Sequence, residues 1–127
     1  MRILLFGTFD HLHPGHHFVI NEARTRGDVT VIVARDRNVE RIKGFTALQS
    51  EEHRAQAIRD AFPAVTVLLG DRDDFLAPVR SVGPDLILLG YDQRLPPGVS
   101  EADFPCPVER LAAFRPEEFK SSLKRRK

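Results

Sequence analysis

Two histidines, His13 and His16, stand three positions apart in the stretch Gly7-Thr8-Phe9-Asp10-His11-Leu12-His13-Pro14-Gly15-His16, directly after a short apolar run. That spacing lets both imidazoles project from one side of a helix's first turn. Pro14 suits the first turn, and Gly15 leaves room above the helix N-terminus. The first N–H groups of a helix have no partner inside it and attract phosphate. Gly7 lets the backbone come close to a ligand. The combination describes a nest for a polyphosphate, with donors able to follow charge that develops on a leaving group. The same residues carry plainer readings. A histidine at a helix start is often a cap or a surface residue, and four histidines in seven positions (His11, His13, His16, His17) also suggest zinc. Against zinc, no Cys or Asp follows at ligand spacing, and the glycines fit phosphate better. His17 falls on a different face from His13 and reads as structural.

The elements that must position these residues follow from the hydrophobic pattern. Ile3–Phe6 is apolar throughout and stops at Gly7, as a strand buried on both faces does. Gly15–Arg26 reads as a helix with Phe18, Val19 and Ala23 on its buried side. Val29–Ala34 is a second buried strand, rich in β-branched residues. Arg37–Ile42 reads as a short helical turn. Ser50 is a good N-cap for a helix that carries Glu51 and Glu52 at its positive end and stops before Pro63. Val65–Leu69 is a third strand, Asp73–Val82 a helix begun or interrupted near Pro78, and Leu86–Leu89 a fourth strand. A Pro- and Gly-rich loop over Gln93–Pro107 leads to a short fifth strand around Val108–Ala112, and Glu117–Arg126 reads as a last helix. Strands alternating with helices imply parallel βαβ units with right-handed crossovers. The expectation is a Rossmann-like α/β fold: a doubly wound parallel sheet of about five strands with helices on both faces, residues 1–127 forming one domain. Ligands in such sheets bind beyond the carboxyl ends of the strands, here the ends of strands one, two and four.

Composition narrows the function classes. Hydrophobic residues make up 42% and charged residues 29%, ordinary for a globular protein that buries a core. A net charge of +1 argues against a surface built for nucleic acid, and the cluster Lys124-Arg125-Arg126-Lys127 reads as a solvated helix end. The single cysteine, Cys106, lies between Pro105 and Pro107, admits no disulfide within the chain and suits a reducing compartment. The apolar start breaks at Gly7, too soon for a secretory signal or a membrane span, so the expected location is the cytoplasm, with no membrane partner.

Gly7-Thr8-Phe9-Asp10 followed by His13-Pro14-Gly15-His16 resembles the signature of the cytidylyltransferase-like nucleotidyltransferase superfamily. The resemblance implies that His13 and His16 stabilise the nucleotide phosphates in the transition state. Further matches extend over nearly the whole chain. Lys43-Gly44 is similar to the family's basic loop that reaches the triphosphate. Glu52-His53-Arg54 is similar to its Glu-x-Arg helix start, where the arginine faces the site; alone it would read as a surface ion pair. Leu89-Gly90-Tyr91-Asp92-Gln93 closes the fourth strand, where Asp92 and Gln93 are candidates to bind a base, a ribose or the acceptor. Arg115, Ser121 and Ser122 match the family's last motif in type, while Glu118 and Lys120 depart from it. Asp10 is the nearest candidate carboxylate for the acceptor or a metal, or a turn residue that pins the loop.

The resemblance implies transfer of a nucleotidyl group from a nucleoside triphosphate to a phosphorylated small-molecule acceptor, with Mg²⁺ on the triphosphate. Val33-Ala34-Arg35-Asp36, Lys43-Gly44 and Leu89-Gly90-Tyr91-Asp92-Gln93 most resemble the archaeal-type FAD synthases, which move AMP from ATP to FMN and release pyrophosphate. The alternative is a cytidylyltransferase using CTP and a small phosphorylated alcohol such as glycerol 3-phosphate. A rival of another class is a nucleotide-binding module without catalysis. Relatives are commonly dimers, so a homodimer is also implied by resemblance.

Overall fold

The computed structural model describes residues 1–36, 39, 47–91, 93–96 and 98–112. Strand β1 (Arg2–Gly7) leads to helix α1 (Pro14–Arg24) and strand β2 (Asp28–Val33). Helix α2 (Glu51–Ala61), strand β3 (Thr66–Leu69), helix α3 (Ala77–Val82) and strand β4 (Leu86–Leu89) follow. A single 3₁₀ turn (Glu101–Asp103) precedes strand β5 (Val108–Arg110). The expected helix Glu117–Arg126 and most of the turn expected over Arg37–Ile42 lie outside the described residues.

The strands form one parallel sheet in the order β3-β2-β1-β4-β5. The chain winds outward from β1 to β2 and β3, then returns to the other side of β1 as β4. With right-handed crossovers, that reversal moves the connecting helix to the opposite face. The core shows it. Ile3 and Leu5 of β1 pack with Ile20 and Ala23 of α1 and with Ala55 and Ile58 of α2 on one face. Leu4 and Phe6 pack with Val79 of α3 and with Ile87, Leu89 and Phe104 on the other. Every side chain of Ile3–Phe6 is buried, which is why the run reads as continuously apolar. The point of reversal, between β1 and β4, opens a crevice at the carboxyl ends of the strands.

Three details of the expected elements are sharper in the fold. Ile20 and Ala23 are the fully buried residues of α1; Phe18 and Val19 are only partly buried against the same core. The helix expected over Asp73–Val82, begun or interrupted near Pro78, begins at Ala77. Asp71 Oδ1 accepts the N–H groups of Asp73 and Asp74, both at 2.8 Å, and Asp74 Oδ1 accepts that of Leu76 at 3.0 Å. Such local carboxylate bonds compete with helix formation and hold these residues as turns. Strand β5 stops at Arg110 rather than Ala112.

Candidate active site

A cavity of about 870 Å³ opens at the carboxyl ends of the strands, within the usual size range of ligand sites. Gly7, Thr8, Phe9, Asp10, His13, Gly15 and His16 line one rim; Gly90, Tyr91, Gln93 and Arg94 line the other. The rims belong to the two strands that flank the point of reversal, as expected.

His13 is the N-cap of α1, with Pro14 at the first helical turn. Its Nδ1 accepts the N–H of Gly15 at 3.1 Å, and His16 Nδ1 accepts the N–H of His13 at 3.4 Å. The two imidazoles thus build a reciprocal capping box, and their rings stack with centroids 3.7 Å apart. A neutral imidazole whose Nδ1 accepts a hydrogen bond carries its proton on Nε2. In the neutral form these backbone bonds select one tautomer for both rings and set the two Nε2–H groups at the positive end of a helix. The capping reading and the phosphate reading are one arrangement: capping orients the donors. His17 turns away, its ring 5.0 Å from that of Phe62. Among the described residues, no three His, Cys, Asp or Glu side chains gather as a group able to hold a metal.

The loop between β1 and α1 carries two non-glycine residues in the left-handed region, Phe9 (φ 54°) and His11 (φ 55°). Each such residue costs on the order of 1–3 kcal/mol, so surrounding contacts must hold it. Phe9 folds its ring back into the core, 5.3 Å from the ring of His16. A β-carbon on Gly7 would meet that ring at 3.2 Å, so the glycine makes room for Phe9. His11 donates its N–H to Gln49 Oε1 at 2.9 Å. Asp10 accepts the N–H groups of Leu48 and Gln49 on its two oxygens, at 2.8 and 2.9 Å. Partial burial pushes the Asp10 carboxyl upward, but those two N–H groups and the charges of His11 and Arg54 outweigh it and hold it below the ordinary carboxylate value. In this geometry Asp10 pins the loop.

Arg54 stands elsewhere than the resemblance implies. Its side chain is fully buried, 0% exposed, behind the loop rather than on the cavity wall. Nε donates to Gln49 O at 3.0 Å, Nη1 to Thr8 O at 2.8 Å and Nη2 to Asp36 Oδ1. The bland alternative of a surface ion pair does not describe it either. Glu51 extends the same brace. It accepts Asp36 N–H at 3.0 Å and Arg35 Nη1 at 2.7 Å, while Arg35 Nε donates to Gly70 O at 2.6 Å. Burial raises the Glu51 carboxyl, and the Asp36 N–H and Arg35 together bring it below its ordinary value. Ser50, the predicted cap, accepts His53 N–H at 3.2 Å and starts the helix that carries these groups.

The opposite rim is built from side chains that hold backbone. Gln93 Nε2 donates to Phe6 O of β1, and Gln93 Oε1 accepts Gly90 N–H at 3.1 Å, so its amide ties β1 to the end of β4. Arg110 Nη1 donates to Gly90 O at 3.1 Å and to Gln93 O at 2.8 Å. Tyr91 stands on this rim 57% exposed. Arg94, which the sequence motifs did not single out, lines the cavity as well. Its signal was only its position directly after Gln93. Lys43, Asp92, Arg115, Ser121 and Ser122 lie outside the described residues. At Cys106, burial first and the charge of Asp85 second push the thiol above its ordinary value, which disfavours a nucleophilic thiolate. No helix among the described residues is long and apolar enough to cross a membrane.

Comparison with known proteins bears on this geometry. The sequence model of the cytidylyltransferase-like family matches residues 4–123. An FAD synthase from Natronomonas pharaonis is 38% identical over 118 residues, covering 88% of this chain and 83% of that protein. An FAD synthase from Methanosphaerula palustris is 43% identical over 99 residues, covering 77% of this chain and 63% of that protein. The crystal structure of the lipopolysaccharide core biosynthesis protein from Thermoplasma volcanium superposes with a TM-score of 0.79 at 28% identity, covering 91% of this chain and 98% of that one. A strand-loop-helix unit with paired histidine donors at the point of reversal, on a chain matched along nearly its whole length, places the protein in the cytidylyltransferase-like family.

Proposed function

We propose that the chain, acting as one nucleotidyltransferase domain, transfers AMP from ATP to FMN to give FAD and pyrophosphate. The observation that carries this reading is the stacked His13–His16 pair, capped so that both Nε2–H donors stand at the N-terminus of α1. The identity to FAD synthases over most of the chain supports FMN as the acceptor.

In this reading an oxygen of the FMN phosphate attacks the α-phosphorus of ATP in line. The bond from that phosphorus to the bridging oxygen breaks, and pyrophosphate carries the electron pair away. Such transfers need little covalent help; positioning and charge stabilisation supply most of the rate. His13 and His16 donate to the α- and β-phosphate oxygens as negative charge shifts toward the leaving group. Lys43 and Arg115 are the further cations proposed for the triphosphate. Arg54 acts through the backbone of Thr8 and Gln49. Mg²⁺ brought in on the triphosphate would neutralise phosphate charge, held mainly by substrate oxygens and water, with Asp10 the nearest carboxylate on the rim that holds the histidines. The single cysteine, Cys106, suits a cytoplasmic setting; pairing of two copies carries over from the resemblance, and sedimentation checks it.

The test is pyrophosphate release with Mg²⁺, across ATP and CTP, each with FMN, glycerol 3-phosphate, phosphoethanolamine or phosphopantetheine. Release with ATP and FMN alone is the expected result. Release with CTP and a small alcohol phosphate would move the protein to the cytidylyltransferase alternative. Nucleotide binding without release would favour a binding module.

A further inference from the structure

The nucleophile in this reaction is itself an anion. A phosphomonoester carries about −1.5 to −2 charges at neutral pH, and it must approach a phosphorus embedded in a triphosphate. The paired histidines stand on the α1 rim, where the leaving group is held. In-line displacement brings the acceptor from the opposite side, so a cation is wanted on the β4 rim.

Among the described residues lining the cavity there is one arginine and no lysine, and that arginine is Arg94. The other arginines at the strand ends are committed: Arg54 to Gln49, Thr8 and Asp36, Arg35 to Gly70 and Glu51, Arg110 to Gly90, Gln93 and Glu101. Arg94 makes no hydrogen bond or ion pair with any described residue. Its backbone nevertheless follows a residue anchored at three points, through the Gln93 amide to Phe6 and Gly90 and through the Gln93 carbonyl to Arg110. A fixed base with an uncommitted guanidinium suits capture of a ligand's anion. Tyr91, exposed on the same rim, adds an aromatic face.

We propose that Arg94 and Tyr91 form the acceptor subsite: the guanidinium receives the acceptor's terminal phosphate, and the Tyr91 ring stacks on a planar heterocycle. This deepens the FMN reading and rests on it. An arginine fork matches phosphate oxygens in a way a lysine does not.

The test uses the full chain, with pyrophosphate release and quenching of flavin fluorescence as readouts. Arg94→Gln is expected to raise the KM for FMN roughly ten- to a hundredfold, as loss of a charge-assisted bond implies, with the KM for ATP and the melting temperature unchanged. Binding of riboflavin, which lacks the phosphate, is expected to be unaffected by Arg94→Gln. Arg94→Lys should recover part of the loss. Tyr91→Ala should weaken FMN and riboflavin alike by roughly tenfold, and Tyr91→Phe should retain both. An unchanged KM for FMN in Arg94→Gln, or a raised KM for ATP in its place, overturns the subsite. If the wild type ignores FMN but uses another phosphorylated acceptor, the FMN reading fails. Arg94→Gln must then raise the KM for that acceptor, and a flat result ends the proposal. If no acceptor binds or turns over, both readings fall.

Discussion

Arg54 and Arg94 are the same side chain put to opposite uses, one behind a rim of the cavity and the other on the facing rim. Arg54 is completely buried and donates from all three of its nitrogens into the protein. Arg94 is exposed and makes no hydrogen bond or ion pair with any described residue. The β1–α1 rim is internally braced: two strained residues, a pinned aspartate and a buried guanidinium hold the loop that leads to the histidines. The β4 rim has an anchored base and open tips. The difference teaches where rigidity is needed. Donors that stabilise a transition state act best when preorganised, whereas a subsite that admits an incoming acceptor needs exposed groups on a fixed frame.

That contrast predicts distinct signatures for mutations on the two rims. The largest effect is expected from His16→Ala. Turnover should fall on the order of a hundred- to a thousandfold, with little change in nucleotide binding, because the donor matters most as charge develops. Calorimetric collapse of ATP affinity alongside normal turnover at saturation would remove that role. Next, Arg54→Met should destabilise the fold by about 2–4 kcal/mol, since it leaves three acceptors behind. It should also lower turnover at temperatures where the variant is fully folded. Denaturant unfolding paired with kcat separates the two effects, and loss of stability with full turnover would deny Arg54 any part in positioning the loop. Arg94→Gln offers the counterexample on the other rim, a raised acceptor KM without loss of stability.

Smaller effects should follow pH. Asp10 and Glu51 are held below their ordinary values in the folded state. Unfolded carboxyls titrate at about 3.9 for Asp and 4.3 for Glu. The stability they contribute is therefore complete above about pH 4–5 and is lost as pH falls through the lower folded values. Asp10→Asn keeps the shape, presents an NH₂ to one of two N–H donors, and should flatten that acid dependence. A variant whose melting temperature tracks the wild type down to pH 3 would contradict the pinning role. The smallest effect is expected from Ser50→Ala: about 1 kcal/mol of stability, read by denaturant unfolding, with turnover of the folded enzyme intact.

Much of the scaffold was legible in the residues. Ile3–Phe6 and Leu86–Leu89 read as strands because both of their faces are buried. Ser50 read as a cap because a hydroxyl before two glutamates has few other uses. The helix expected over Asp73–Val82 begins at Ala77, beside the Pro78 that marked its start or interruption; the residues before it stay turns because Asp71 and Asp74 bond to nearby backbone, a local choice that periodicity does not register. At the site, the histidine pair was visible from spacing alone, whereas the bonds by which Gln93 ties β1 to β4 were not.

By itself the sequence determined what neighbouring residues decide: the alternation of strands and helices, the capped helix starts, and the paired imidazoles after the first strand. Only the tertiary structure decided which arginine faces the cavity. Arg54 meets Thr8 across 46 positions and Asp36 across 18. A long, flexible side chain places its charge wherever distant acceptors gather, and acceptors that far apart in the chain meet only once the sheet has formed.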